Sequence, residues 1–122
     1  MTHRERGLSG SVEWVILIPL VLLTVLGLIQ VGLAAHGRTV ASHAAIASAE
    51  HAALAGSTVE QARSLGTAIA EGAGMAGVTV EVTRGADEAR AVVTGTMPTF
   101  FDVGLTRARE QATRPLERVT AP

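Results

Sequence analysis

A single carboxylate, Glu13, stands at the start of the longest uncharged stretch of the chain. The run from Trp14 to Ala35 holds 22 residues without a formal charge, and Thr24 and Gln30 are its only strongly polar side chains. A carboxylate at membrane depth is costly unless it reaches water, is protonated or meets a cation. Two interpretations of Glu13 stay open: it extends to the membrane interface, or it pairs with a positive group of a neighbouring subunit.

The other patterns that resemble chemical motifs predict no catalysis. Residues 72–77 read GAGMAG and match G-x-G-x-x-G, but a predicted helix precedes them and a predicted strand follows, the reverse of a dinucleotide site. His36, His43 and His51 share one predicted helix at spacings that place neighbours about 10.5 Å or more apart, too far to share a metal ion. The chain has no Cys. We therefore expect a non-enzymatic protein with no cofactor and no metal.

The apolar run is long enough to cross a bilayer, which takes roughly 20 residues. We predict a retained span over residues 11–35, because a cleaved signal has a shorter apolar region of about 7–15 residues and Ala34-Ala35-His36 is a weak cleavage match. Arg4 and Arg6 precede the span and Arg38 follows it, which favours a cytoplasmic N-terminus and an exported C-terminal part.

The residues after the span predict a small α+β region. An Ala-rich segment over residues 36–55 continues the first helix, giving one helix from about Val12 to Ala55, and its small side chains favour close approach between helices. Gly56 ends that helix. A second helix follows, with Ser57 and Glu60 as its predicted capping box.

A β-hairpin is predicted next. Residues 78–83 alternate with Val on one face, residues 84–87 supply a turn, and residues 89–97 form the second strand. The pair Phe100 and Phe101 is interpreted either as core packing against the hairpin or as an exposed docking patch. The C-terminal arginines, interleaved with Glu110 and Glu117, are interpreted as a solvated face; they are Arg107, Arg109, Arg114 and Arg118.

Composition limits the classes of function. The 122 residues leave room for one small domain besides the span. A net charge of −1 gives no electrostatic case for binding nucleic acid. The three aromatic residues are Trp14, Phe100 and Phe101, so the region beyond the span must build its core mainly from Ala, Val, Leu and Ile.

The N-terminal segment resembles the TadE-like family, pilin-like proteins of the tight-adherence (Flp) pilus systems of bacteria. The resemblance lies in a basic, Gly-containing leader, then Val12-Glu13-Trp14, Ile18-Pro19, and the glycines Gly27 and Gly32. It covers roughly residues 7–55, and the remainder agrees only in general character.

The resemblance implies roles for the leader and for Glu13. In this class a prepilin peptidase cuts the leader on the cytoplasmic side, and the acid at mature position five neutralises the new α-amino group of an adjacent subunit. A cut after Gly7 places Glu13 at mature position six, a cut after Leu8 at five and a cut after Gly10 at three. The Gly7–Leu8 bond is favoured because the family prefers Gly before the cleaved bond. Trp14 and Pro19 are expected to act with Glu13 in assembly.

The expected organisation is therefore a basic leader (1–10), a transmembrane helix (11–35), the continuation of that helix (36–55) and a small exported α+β region (56–122). The expected function is a minor pilin or pseudopilin of a Tad/Flp pilus assembly or secretion system. It would lie in the inner membrane or the extracellular pilus and form oligomers through helix packing with other pilin or pseudopilin subunits and the Tad machinery. The alternative is a single-pass anchored module that docks a partner through Phe100 and Phe101.

Overall fold

The computed structural model describes residues 3–98 and 107–117, with side chains from Gly10 onward. The chain forms α1 (His3–Ala53), α2 (Val59–Gly72), β1 (Ala76–Arg84), β2 (Glu88–Thr96) and β3 (Arg107–Pro115). This confirms the predicted α+β class with a long N-terminal helix. Two compact units result, Met1–Gly32 and Leu33–Pro122, and the division falls inside α1.

Helix α1 begins earlier than predicted, at His3 rather than near Val12. No Pro interrupts residues 3–18, and Gly7 and Gly10 lower helix propensity without preventing a helix. Pro19 lies inside the helix. Its ring removes the amide that would bond the Val15 carbonyl, a defect that a long helix tolerates where other groups or neighbours satisfy that carbonyl.

The sheet is an antiparallel meander in the order β1-β2-β3. The predicted hairpin is present, and it pairs Val80 with Val93 and Val82 with Ala91. The register shifts between Ala76 and Thr79. Gly77 lies in this interval with φ 60°, a conformation that favours glycine.

Strand β3 is absent from the sequence-based prediction, which interpreted the charged residues of this segment as a solvated face and assigned them no strand. The structure pairs β3 with β2 along nine residues. The inward positions Ala108 and Ala112 are buried, and the charged residues between them point outward or lie at the rim. Pro115 occupies the final position of the strand, where loss of one amide donor is tolerated.

The capping box of α2 lies one residue later than predicted. Thr58 is the N-cap, its hydroxyl accepts from the Gln61 amide at 3.1 Å, and the Gln61 side chain accepts from the Thr58 amide at 3.1 Å. The predicted cap, Ser57, instead donates its hydroxyl to the carbonyl oxygens of His51 and Leu54, at 2.5 and 2.8 Å. Ser57 therefore bonds the end of α1 and not the start of α2.

The core of the second unit is built from small side chains. Among the described residues, twelve of the eighteen buried hydrophobic residues are Ala, and they belong to one cluster that joins α1, α2 and the sheet. Ala41, Ala44 and Ala45 of α1 are fully buried in this cluster. The small side chains were expected to let helices approach closely, and at these positions the close packing takes place inside the chain's own core.

Two glycines bring the elements of this core close together. A Cβ added at Gly66 of α2 would collide with the Ser48 hydroxyl of α1 and lie 3.2 Å from Val80 Cγ1 of β1. One added at Gly95 would collide with the side chain of Met75. Elements covered mainly by Ala and Gly can approach closely, and this closeness replaces part of the dispersion contact that larger side chains would supply.

Glu117 joins the end of the sheet to the end of α1. Its amide donates to the Ala53 carbonyl at 2.8 Å, and its carboxylate accepts from the Ala55 amide at 3.0 Å. A helix end leaves carbonyl groups without intrahelical partners. Glu117 satisfies one of these groups and fixes the residues that follow β3.

Candidate functional site: the apolar surface of the first helix

The N-terminal unit exposes large hydrophobic side chains on every side of α1. Exposure ranges from 43% at Ile29 to 71% at Val15. We name this set the span surface: Val12, Trp14, Val15, Ile16, Leu17, Ile18, Leu20, Val21, Leu22, Leu23, Val25, Leu28, Ile29 and Val31. A helix that is apolar all round requires lipid or other protein around it. Helix α1 is also long and apolar enough to cross a membrane.

The Thr24 hydroxyl, which lies among the residues of the span surface, has a hydrogen-bond partner within α1. The Thr24 hydroxyl donates to the Leu20 carbonyl at 2.8 Å, one helical turn earlier. Such a bond removes the cost of placing a hydroxyl in hydrocarbon, where no water is available as a partner. Thr24 therefore does not contradict a transmembrane location.

Glu13 lies at the N-terminal end of the span surface and is exposed. Among the described residues it takes part in no ion pair. Its helical neighbours on the C-terminal side, Ile16 and Leu17, are apolar, and Gly10 lies one turn before it. Arg6 is about 10.5 Å earlier along the axis. The adjacent turns of α1 therefore supply no cation to the Glu13 carboxylate within the described residues.

The predicted assembly residues share one helix but not one face. At about 100° per residue, Trp14 points about 100° away from Glu13, and Pro19 points about 120° away on the opposite side. The row below Glu13 holds Leu17, Leu20 and Thr24. A neighbouring helix that contacts Glu13 would therefore pack along this row.

The other predicted site residues are placed as follows. Gly7 and Leu8 belong to the first turns of the α1 backbone, and their side chains lie outside the described part of the chain. Phe100 and Phe101 lie outside the described residues.

The structure describes the glycine-rich segment and the histidines that resemble chemical motifs. Residues 72–77 run from the last residue of α2 into the start of β1, so the order is helix then strand, and Gly74 and Gly77 have φ values of 95° and 60°. Within residues 3–98 and 107–117, no group of three His, Asp or Glu side chains could hold a metal ion. His36 and His43 are exposed, and His51 is half-buried.

Sequence reasoning did not find a second surface, on the open face of the sheet. Arg107 and Arg109 lie on this face beside Thr94 and Thr96 of β2. The signal was present in the sequence as arginines two residues apart, the spacing that places side chains on one face of a strand. The segment was interpreted as a solvated face without a strand, so this spacing did not predict a shared face.

Together, the length of α1 and the exposure of its apolar residues define a candidate single-span membrane protein. Residues 9–50 match the family model described as TadE-like protein, which confirms the recognised family over the segment that contains Glu13, Trp14 and Pro19. The match implies a protein associated with the Tad pilus. A comparison with curated proteins gave no match, and a comparison with solved structures gave none.

Proposed function

We propose that this chain is a minor pilin or pseudopilin of a Tad/Flp-type pilus assembly or secretion system. Residues 11–35 hold it in the inner membrane, with the N-terminus cytoplasmic and the region 56–122 exported. A prepilin peptidase removes the leader at the Gly7–Leu8 bond. The protein then joins or primes a filament by packing its first helix against other pilin subunits, without catalysing a reaction and without a cofactor.

One observation carries this proposal: Glu13 lies at the end of the span surface without a cation in the adjacent turns of its own helix. In a monomer the carboxylate must remain at the interface or become protonated. In an assembly, the α-amino group that leader removal creates on a neighbouring subunit can supply the missing charge. The chemistry thus couples processing to assembly, because the cation does not exist at that position before cleavage.

The residues at the start of the span support the same proposal. A span that served only as an anchor needs length and hydropathy, and it has no need of a carboxylate at its entrance. Trp14 beside Glu13 places an amphipathic ring at the depth where aromatic residues concentrate in membranes. Both features fit a transmembrane span that begins at the cytoplasmic interface.

The test compares Glu13→Gln with a matched control, Glu71→Gln, in cells that lack the native protein. Glu71 is exposed at the end of α2 and belongs to the other unit. The expected result is that Glu13→Gln reaches the membrane at the normal level but fails to support pilus assembly, while Glu71→Gln assembles normally.

The proposal would be contradicted if the substitution of Glu13 were harmless and the substitutions of the Phe pair were damaging. Normal assembly by Glu13→Gln, together with loss of partner binding in Phe100→Ala and Phe101→Ala, would identify the chain as an anchored binding module. Measuring the membrane level of each variant separates a failure of assembly from a failure of insertion.

A further inference from the structure

The three-stranded sheet has one covered face and one open face. Its covered face carries Val80, Val93 and Ala108, which belong to the core. Its open face carries Thr79 of β1, Thr94 of β2 and Arg109 of β3 in one row, because Thr79 pairs with Thr94 and Thr94 with Arg109. Arg107 lies in the next row, opposite Thr96.

A shallow pocket forms on this face, lined by Thr79, Glu81, Val92, Thr94, Arg107 and Arg109. We name the part formed by Thr79, Thr94, Arg107 and Arg109 the Arg corner. The lining contains no aromatic side chain on which a base or sugar ring could stack. Its donors are two guanidinium groups and two hydroxyl groups, and such donors bind carboxylates and other anions.

The two arginines of the Arg corner differ from three other arginines of the same unit, which pair with carboxylates. Arg63 pairs with Glu60 at 2.8 Å, Arg114 with Glu50 at 3.5 Å and Arg90 with Glu88 at 3.8 Å. Within the described residues, Arg107 and Arg109 have no carboxylate oxygen within 4.0 Å. Their positive charge is therefore available to a partner.

Strand β3 is also the last strand of the sheet order within the described residues. An end strand presents backbone N–H and C=O groups that can pair with an added strand. Contacts with the end of α1 occur at the C-terminal end of this segment, through Arg114 and Glu117. The Arg corner lies at the opposite, N-terminal end of β3.

We propose that the Arg corner and the adjoining edge of β3 bind an extended acidic peptide segment of a partner protein. Alternate side chains of a strand are about 6.6 Å apart, so acidic residues at i and i+2 of an added strand match Arg107 and Arg109 in spacing. Opposite charges on paired strands attract when they lie directly across from each other.

The negative charge of Glu81 affects which side of the open face an acidic segment can bind. It lies on β1, two strands and about 9.6 Å from β3. Its negative charge disfavours an acidic partner on the β1 side of the face and favours one on the β3 side. The charge distribution thus directs an acidic segment to the available edge. This inference does not depend on Glu13 or on assembly through α1.

The test uses the full chain in nanodiscs of zwitterionic lipid and a fluorescein-labelled peptide of alternating Val and Glu. Binding is followed by fluorescence anisotropy, with a Val/Lys peptide as the reversed-charge control. We expect the acidic peptide to bind and the basic one not to bind. Arg107→Gln/Arg109→Gln should weaken binding by about tenfold or more, as loss of charge-assisted hydrogen bonds predicts. Hydrogen exchange at β3 amides should slow when the peptide is bound.

A matched double variant, Arg38→Gln/Arg63→Gln, removes the same charge from α1 and α2 and should bind the acidic peptide as the unmodified chain does. Thermal unfolding followed by circular dichroism confirms that each variant folds. Arg107→Lys/Arg109→Lys, which keeps the charge, should retain part of the affinity.

Three outcomes would overturn the proposal. Equal binding by the unmodified chain and Arg107→Gln/Arg109→Gln would remove the arginines from recognition. Tighter binding of an acidic polysaccharide such as alginate than of the peptide would assign the Arg corner to another class of ligand. Self-association of Arg107→Gln/Arg109→Gln without a change in peptide binding would mean that the arginines only protect an edge strand from unwanted pairing.

Discussion

The two units of this chain use hydrophobic residues in opposite ways. In the first, Leu23 and Val15 are exposed at 63% and 71%, and no core forms around them. In the second, Ala and Val fill a buried cluster in which Val93 is the largest fully buried hydrophobic side chain. Large apolar side chains thus face outward in one unit, and small ones face inward in the other.

The difference shows how one helix, α1, can suit hydrocarbon in its first part and a folded protein core in its second. A residue such as Leu stabilises a segment in hydrocarbon without a neighbour of complementary shape, because fluid lipid chains can pack around it. A folded core requires complementary shapes, and Ala and Gly achieve this here by letting helices and strands approach closely. Substitutions that reverse size or polarity should therefore have different effects in the two units.

The largest expected effect is that of a charge placed in the middle of the span surface. Leu23→Arg should cost about 3–4 kcal/mol of insertion free energy, since Leu favours and Arg opposes insertion at the centre of a transmembrane helix. The measurement is the inserted fraction after alkaline extraction of membranes. Leu54→Arg, at an exposed position of the second unit, is the control and should insert normally. Equal insertion of both variants would contradict the comparison.

Added volume in the core should have the next largest effect. Gly66→Ala should destabilise the second unit by about 1–3 kcal/mol, because the new methyl group meets the buried Ser48 and Val80. Thermal unfolding in detergent, followed by circular dichroism, measures the loss. Gly72→Ala, with open space at the end of α2, should leave the melting temperature unchanged or slightly raised. A similar loss in both variants would show that space around Gly66 is not limiting.

Loss of the N-cap should have a smaller effect. Thr58→Ala should lower stability by about 1 kcal/mol, because the Gln61 amide loses its acceptor. Chemical denaturation of the purified chain gives the value. Ser64→Ala, at an exposed position within α2, is the control for hydroxyl loss. If Glu60→Ala proved more damaging than Gln61→Ala, the capping box would be the pair predicted from sequence and not the one in the structure.

The smallest expected effect is at a surface ion pair of the second unit. Arg114→Gln should cost below about 1 kcal/mol, because both side chains of the Arg114–Glu50 pair remain substantially exposed. The difference from the unmodified chain should shrink further in high salt. A loss that persists in high salt would mean that Arg114 stabilises the unit by packing.

Much of the fold was predictable because its signals are local. The span, the break at Gly56 and the alternation of Val78, Val80 and Val82 predicted α1, its end and β1. The cap was displaced by one residue because Ser57 and Thr58 are adjacent and each is followed three residues later by Glu or Gln. Two overlapping capping boxes satisfy the same rule, and only the backbone geometry decides between them.

Strand β3 could not be predicted in the same way. Its buried positions are Ala108 and Ala112, which carry no strong strand preference, and its remaining residues are mostly charged or polar. Pairing with β2 determines its structure, and the spacing of Arg107 and Arg109 was too weak a local pattern to predict a strand on its own. For the site, Glu13 was identifiable from its type and position, whereas the alignment of Arg109 with Thr94 required the sheet register.

The intact mass of the protein from its native membrane, with and without the prepilin peptidase, tests the central claim most directly. The account predicts loss of residues 1–7 only when the peptidase is present, which leaves the span and Glu13 in the mature chain. A full-length mass in both samples would contradict leader processing and remove the α-amino group from the proposed role of Glu13. A mass that corresponds to cleavage near Ala35 would contradict retention of the span altogether.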